Sequence, residues 1–181
     1  MSRLFSGLVF GILVALPGLA RAESATNAVI SPHLRDLVVL QKNDLVPFKA
    51  DDFLKAHYTI LYYSAGWCPD CRAFSPVLVK AYDKQPKGSG RFEVLLLSQD
   101  KSAKDMLDYM RSEKMKWPAL AYDKLDTAED FKNLDSGHGI PCLTVIDQKG
   151  AVVLQSKSDQ DAKEILKKLQ ELLAKKGSST V

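Results

Sequence analysis

The sequence predicts an α/β domain, a β-sheet covered by helices. Two observations carry this. Apolar runs rich in β-branched and aromatic residues alternate with stretches of helical periodicity, with no internal repeat and no second domain. The chain of 181 residues is 46% hydrophobic and 26% charged, which suffices for one full core.

Residues 1–22 read as an export signal. Arg3 supplies the positive end, Leu4 to Leu16 an apolar stretch, Pro17-Gly18 a break, and Ala20-Arg21-Ala22 the small-x-small site a signal peptidase cuts before Glu23. The alternative is an uncleaved anchor, but the stretch falls short of the roughly 20 apolar residues of a span. No later segment is apolar enough to cross a bilayer, so no membrane contact is expected after cleavage. Residues 23–35 lack periodicity and are expected to be a flexible lead-in to a domain over 36–177.

Within that domain Leu37 to Leu40 and Leu45 to Phe48 read as short strands, and Asp51 or Asp52 as the cap of a brief helix near Phe53-Leu54. Tyr58 to Ser64 reads as a buried central strand. Cys71 to Lys84 follows as a helix with Phe74, Val77, Leu78 and Ala81 on its apolar side, and Pro76 is expected to kink it. Lys87 to Gly90 is a turn and Phe92 to Leu97 a second buried strand. Ser102 to Lys114 reads as a helix, Trp117 to Tyr122 as an extended connection, and Thr127 to Leu134 as a short helix. Leu143 to Ile146 and Ala151 to Leu154 flank a hairpin ending in Gly150. The last helix runs from about Asp159 to Lys175, with Ile165, Leu166, Leu169, Leu172 and Leu173 as its stripe. Ser158 and Asp161 resemble a capping box there, and Gly177 a stop.

Charge excludes little except nucleic acid. The formal balance is +3, and cleavage removes Arg3 and Arg21 but no acid, leaving 23 basic against 22 acidic residues. The three cysteines, Cys68, Cys71 and Cys142, are one close pair and a single thiol. That pattern is no closed disulfide framework; it suggests redox chemistry in an oxidising compartment. The periplasm is the first expectation, with a secretory lumen or the extracellular space as the alternative. The C-terminus carries no retention signal.

Trp67-Cys68-Pro69-Asp70-Cys71 carries the chemistry. A strand-to-helix turn places the first sulfur at a helix N-terminus, where orphan amides and the dipole favour a thiolate. Cys68 is therefore the expected nucleophile and Cys71, one turn on, the resolving thiol. Pro69 is preset for the first helical turn. Asp70 opposes the thiolate, so a reductant is expected rather than a strong oxidant. Trp67 is expected to pack and dock beside the thiol. Ile140-Pro141, at a strand start after Gly137 and Gly139, is a candidate cis peptide. In that form Pro141 would lie against the sulfurs and Ile140 would offer its backbone to an extended substrate. The partners are then protein disulfides and an upstream dithiol electron donor. Nothing reads as a nucleotide site, and no cofactor is expected. A zinc site would need Cys142 and His138 to converge on Cys68 and Cys71. The alternative function is copper handling by Cys68, Cys71 and perhaps His138.

These residues together resemble the thioredoxin superfamily, and within it the tryparedoxin and nucleoredoxin branch. The resemblance covers roughly Leu37 to Leu154. It rests on Tyr62 to Arg72, Phe74-Ser75-Pro76, Phe92-Glu93-Val94 with Ser98-Gln99-Asp100, Trp117 to Leu120, and Gly139-Ile140-Pro141. It implies a thioredoxin-like fold with a central mixed β-sheet flanked by helices, an active-site Cys68, a resolving Cys71 and a cis Pro141. Three departures stand out. Tyr62 occupies the position of the buried acid common in thioredoxins, so proton transfer to Cys71 needs another group or water. The pair between the cysteines is Pro69-Asp70. Cys142 stands where Thr is usual, and strand alternation turns it away from Cys68 into the core.

Overall fold

A seven-stranded mixed sheet runs through the centre of the computed structural model, which describes residues 28–50, 53–85, 91–158 and 161–178. In chain order the strands are β1 Leu37–Gln41, β2 Asp44–Pro47, β3 Tyr58–Ser64, β4 Phe92–Ser98, β5 Ala119–Leu120, β6 Cys142–Asp147 and β7 Val152–Gln155. The helices are α1 Pro69–Asp83, α2 Ala103–Ser112, α3 Glu129–Lys132 and α4 Ala162–Ser178. The spatial order is β2-β1-β5-β4-β3-β6-β7. β3 and β4 are parallel, joined through α1, whereas β6 lies antiparallel to β3 on its other side. This is the mixed, helix-flanked sheet expected. The carboxyl end of β3 is where neighbours change direction, the position at which open α/β sheets place their sites.

Side-chain alternation along β3 divides the core. Ile60 and Tyr62 face a cluster formed with Cys68, Cys71, Phe74 and Leu78 of the α1 segment, Met106, Tyr109 and Met110 of α2, Trp117, and the apolar stripe of α4. Leu61 and Tyr63 face the opposite cluster, with Leu95, Leu97, Phe131 and Cys142. Each layer removes a continuous apolar face from water, at about 25 cal/mol per Å².

Several expectations are corrected. The described part of the lead-in is not loose: residues 31–36 form a 3-10 turn, Ile30 is fully buried, and the His33 ring packs 4.7 Å from that of Phe131. Apolar burial holds this segment where periodicity was too short to reveal it. α1 begins at Pro69 rather than Cys71, because Cys68 itself is the N-cap. Val77 faces solvent at 38% exposure; the buried side of α1 is Cys71, Phe74, Ser75 and Leu78. The extended connection contains a true strand, β5, which bridges β1 and β4. The expected helix over 127–134 is shortened to α3, Glu129–Lys132, and a 3-10 turn, Tyr122–Thr127, precedes it inside what reads as connection. The last helix passes Gly177 to Ser178, and the Asp161 carboxylate accepts the Lys157 N–H instead of completing a Ser158 box. The expected export segment, the Asp51 or Asp52 cap and the turn over 87–90 lie outside the described residues.

Candidate active site

The first sulfur takes the place that Ser or Asp usually holds at a helix start. Cys68 is extended at φ −85°, ψ 118°, and its Sγ accepts the Cys71 N–H at 3.2 Å, satisfying one of the amides a helix N-terminus leaves open. Pro69 at the first helical position supplies no N–H, so no further donor is lost there. The Cys68 thiol also donates to the Ile140 carbonyl at 3.5 Å. The Ile140–Pro141 peptide is cis and closes the loop that enters β6. Cys68, Cys71, Ile140 and Pro141 are thus brought together at the carboxyl end of β3. Both thiols are free and buried, Cys68 at 5% and Cys71 at 0% exposure. Burial pushes the Cys71 thiol up to about 12; the neighbouring Cys68 adds to this, while the Ser64 hydroxyl and the Ala65 backbone oppose it.

Trp67 is the exposed member, at 56%, and its indole N–H donates to the Gln99 carbonyl at 2.9 Å. The loop after β4 holds the loop before α1 at two further points. The Gln99 N–H donates to the Ser64 carbonyl at 2.8 Å, and the Gly66 N–H donates to the Asp100 carboxylate at 2.8 Å. Ser98 Oγ donates to the other carboxylate oxygen of Asp100 at 2.8 Å. Burial raises the Asp100 pKa, and the Ser98 and Gly66 donors work against that rise.

Behind Cys71 lies a set of buried hydroxyls, of which the sequence singles out Tyr62 alone. Tyr62 from β3 sits where a buried acid was absent, and its hydroxyl meets Ser75 Oγ at 2.9 Å. Tyr109 of α2 meets Ser75 Oγ at 2.6 Å and Ser64 Oγ at 2.7 Å. Ser75 Oγ donates to the Cys71 carbonyl at 2.9 Å. One signal was available in the sequence: Ser75 interrupts the apolar side of α1, and a buried polar residue requires a partner.

The other candidate residues lie apart. Cys142 is fully buried on the opposite face of the sheet, 3.3 Å from Ser136 Oγ, and burial raises its pKa. His138 is exposed in the loop before β6. The convergence with Cys68 and Cys71 that a metal site needs does not occur; among the described residues no group of three His, Cys, Asp or Glu side chains is placed to share an ion. Trp117 is fully buried core, its ring 6.5 Å from Tyr62 and 5.4 Å from Tyr82. Among the described residues no helix is long and apolar enough to cross a membrane.

Comparison with known proteins points the same way as this geometry. A thioredoxin-like family profile matches residues 56–152, more than half of the chain. Tryparedoxin of Trypanosoma brucei brucei is 39% identical over 94 residues, 51% of this chain and 63% of that protein. Nucleoredoxin of Xenopus laevis is 35% identical over 100 residues, 55% of this chain and 24% of that protein. The chain therefore spans less than two thirds of the length of these curated relatives. Among solved structures, tryparedoxin from Trypanosoma brucei superimposes with a TM-score of 0.56 at 29% identity, covering 75% of this chain and 92% of that one. Thioredoxin from Wuchereria bancrofti gives a TM-score of 0.56 at 27% identity, covering 78% and 96%.

Proposed function

The chain belongs to the thioredoxin-like family, and on that premise we propose that it is an exported reductase of protein disulfides. The observation that carries the reading is the Cys68–Cys71 pair. One sulfur caps a helix start and faces the Ile140 carbonyl, and its partner is held one turn behind, in hydrogen-bond contact through its own amide. Cys68, as thiolate, attacks one sulfur of a partner disulfide. A Cys68–partner bond forms, the partner S–S bond breaks, and the expelled sulfur takes a proton from water. Cys71 then attacks Cys68 and displaces the second partner sulfur. The enzyme dithiol has lost two electrons and the partner disulfide has gained them. An upstream dithiol carrier restores the pair by the same exchange in reverse.

Trp67 offers an exposed apolar plate beside the sulfurs, and the backbone around Ile140 offers an extended edge for a substrate segment. The apolar leader over residues 1–22 supports export, and the periplasm is the compartment that best suits a redox pair with a third, buried thiol. Insulin reduction by the dithiol-regenerated protein tests the reading. Turnover that disappears in Cys68→Ser supports it. Stoichiometric copper uptake by the reduced protein without turnover overturns it in favour of metal handling. A reduction potential close to that of strong periplasmic oxidants, about −120 mV, would reverse the direction of flux.

A further inference from the structure

Three loops at the carboxyl end of the sheet surround Cys68. Residues 65–68 after β3 carry Trp67 and Cys68, residues 99–102 after β4 hold the Trp67 indole, and residues 135–141 before β6 carry Ile140. Above the β3–β6 pairing that ends at Tyr63 and Cys142, two hydrogen bonds among the described residues join the first two loops to the third. One runs from the Cys68 thiol to the Ile140 carbonyl at 3.5 Å. It is lost whenever Cys68 is a thiolate or a mixed disulfide, because neither has an S–H to donate. The other runs from the Gln99 side-chain amide to the Asp135 carboxylate at 3.2 Å, and no step of disulfide exchange touches it. The second oxygen of Asp135 accepts the Gly137 N–H at 3.0 Å. Gly137 and Gly139 stand at φ +70° and +91°, and residues 137–139 are exposed. Such a loop loses much conformational freedom when it is ordered, so a tie at its root matters.

We propose that Gln99 is a positioning residue for disulfide exchange, its side-chain amide holding the Asp135–Ile140 loop in register with Trp67 and Cys68. This rests on the reductase reading above and adds to it the tie that keeps the substrate cleft in shape while the sulfurs react. One residue grips all three loops. The Gln99 N–H donates to the Ser64 carbonyl at 2.8 Å, its carbonyl accepts the Trp67 indole N–H at 2.9 Å, and its side chain reaches Asp135. A protein substrate that spans from Trp67 to the Ile140 backbone then meets both sides already placed. It does not have to order the loop out of its own binding free energy. A small disulfide that touches only Cys68 gains nothing from this, so the effect of Gln99 is selective for extended substrates. The main-chain bonds of Gln99 do not depend on its side chain, which separates its two roles cleanly.

The test compares two substrates on the whole protein. Stopped flow of the reduced protein with 5,5′-dithiobis(2-nitrobenzoate) gives two thiol-exchange phases: the first thionitrobenzoate released reports attack by Cys68, and the second reports attack by Cys71 on the mixed disulfide. Steady-state insulin reduction gives KM and kcat for an extended substrate. In Gln99→Ala the KM for insulin is expected to rise about threefold, the worth of one exposed hydrogen bond, with kcat and both reagent phases as in the parent. Gln99→Glu sets two carboxylates against each other and is expected to raise KM about tenfold. Gln99→Glu combined with Asp135→Asn reverses donor and acceptor at the parent's net charge and leaves an oxygen for the Gly137 N–H. It is expected to bring KM back to within about twofold of the parent. An unchanged KM in Gln99→Ala, an equal slowing of the reagent phases, or a double variant no better than Gln99→Glu overturns this proposal and leaves the reductase reading standing. A parent protein with no first phase overturns the reductase reading itself.

Discussion

Gly66→Ala is expected to destabilise the domain, and the structure fixes both the sign and the size. Gly66 is not among the positive-φ residues, so alanine is compatible with its backbone. On backbone grounds alone the change would stabilise by about 0.4–1 kcal/mol, through the unfolded chain. The added methyl, however, would sit 2.9 Å from Tyr109 Cβ, 3.1 Å from its Cγ and 3.3 Å from its Cδ2. Carbon atoms settle at about 3.5–4.0 Å, so the two groups must part by on the order of 0.6 Å or more. Tyr109 Cβ is rooted in α2 beside buried Met106 and Met110, so a rotamer change cannot relieve the clash. The displacement would also stretch the Gly66–Asp100 bond and the short contacts of the Tyr109 hydroxyl. Overpacking of this kind costs about 1–3 kcal/mol and outweighs the backbone gain. The central values leave a net cost of about 1.3 kcal/mol, and at about 2–4 °C per kcal/mol for a domain of this size the reduced protein should melt about 3–5 °C lower by circular dichroism. A melting temperature equal to or above that of the parent would refute the steric argument.

Cys71→Ser should accumulate a Cys68 mixed disulfide with a disulfide substrate, visible by mass spectrometry and discharged by added dithiol; a variant that turns over insulin like the parent would contradict the assignment of Cys71. Alkaline pH should weaken the reduced protein more than the oxidised one. Burial lifts Cys71 from an ordinary 9.0 to about 12, so the native state holds its proton more tightly than the unfolded chain. This contribution is complete below about pH 9 and fades toward pH 12; urea midpoints of the two redox forms compared between those limits should show the reduced form losing ground, and a constant difference would contradict it. Cys142→Ser should leave both thiol-exchange phases unchanged, because its side chain lies on the other face of the sheet. Trp117→Ala should cost about 3–5 kcal/mol, as deletion of a buried large aromatic does. Trp117→Phe should cost much less, because the indole N–H it removes is buried with no hydrogen-bond partner among the described residues. Equal urea midpoints for these two Trp117 variants would refute that comparison.

Local pattern made part of the molecule legible and left part unreadable. Tyr58 to Ser64 reads as a strand because both faces are buried and the run is unbroken, and it is found with those bounds. β5 is two residues long and exists only because β1 and β4 flank it, so no periodicity announces it. Val77 and Ser75 exchange the roles their hydrophobicity suggests, because the orientation of α1 on the sheet turns Ser75 toward the phenols of Tyr62 and Tyr109.

What the sequence determined by itself is covalent and local. Two sulfurs three residues apart at a strand-to-helix junction must lie one helical turn from each other, since the helix repeat is short-range. The absence of an acid at Tyr62 is equally plain from the chain. What only the tertiary structure decided is the surroundings of the second sulfur. Residues 64, 75 and 109 come from a strand and two helices separated along the chain. Their hydroxyls meet because packing against the sheet leaves a buried polar space that each of them must share.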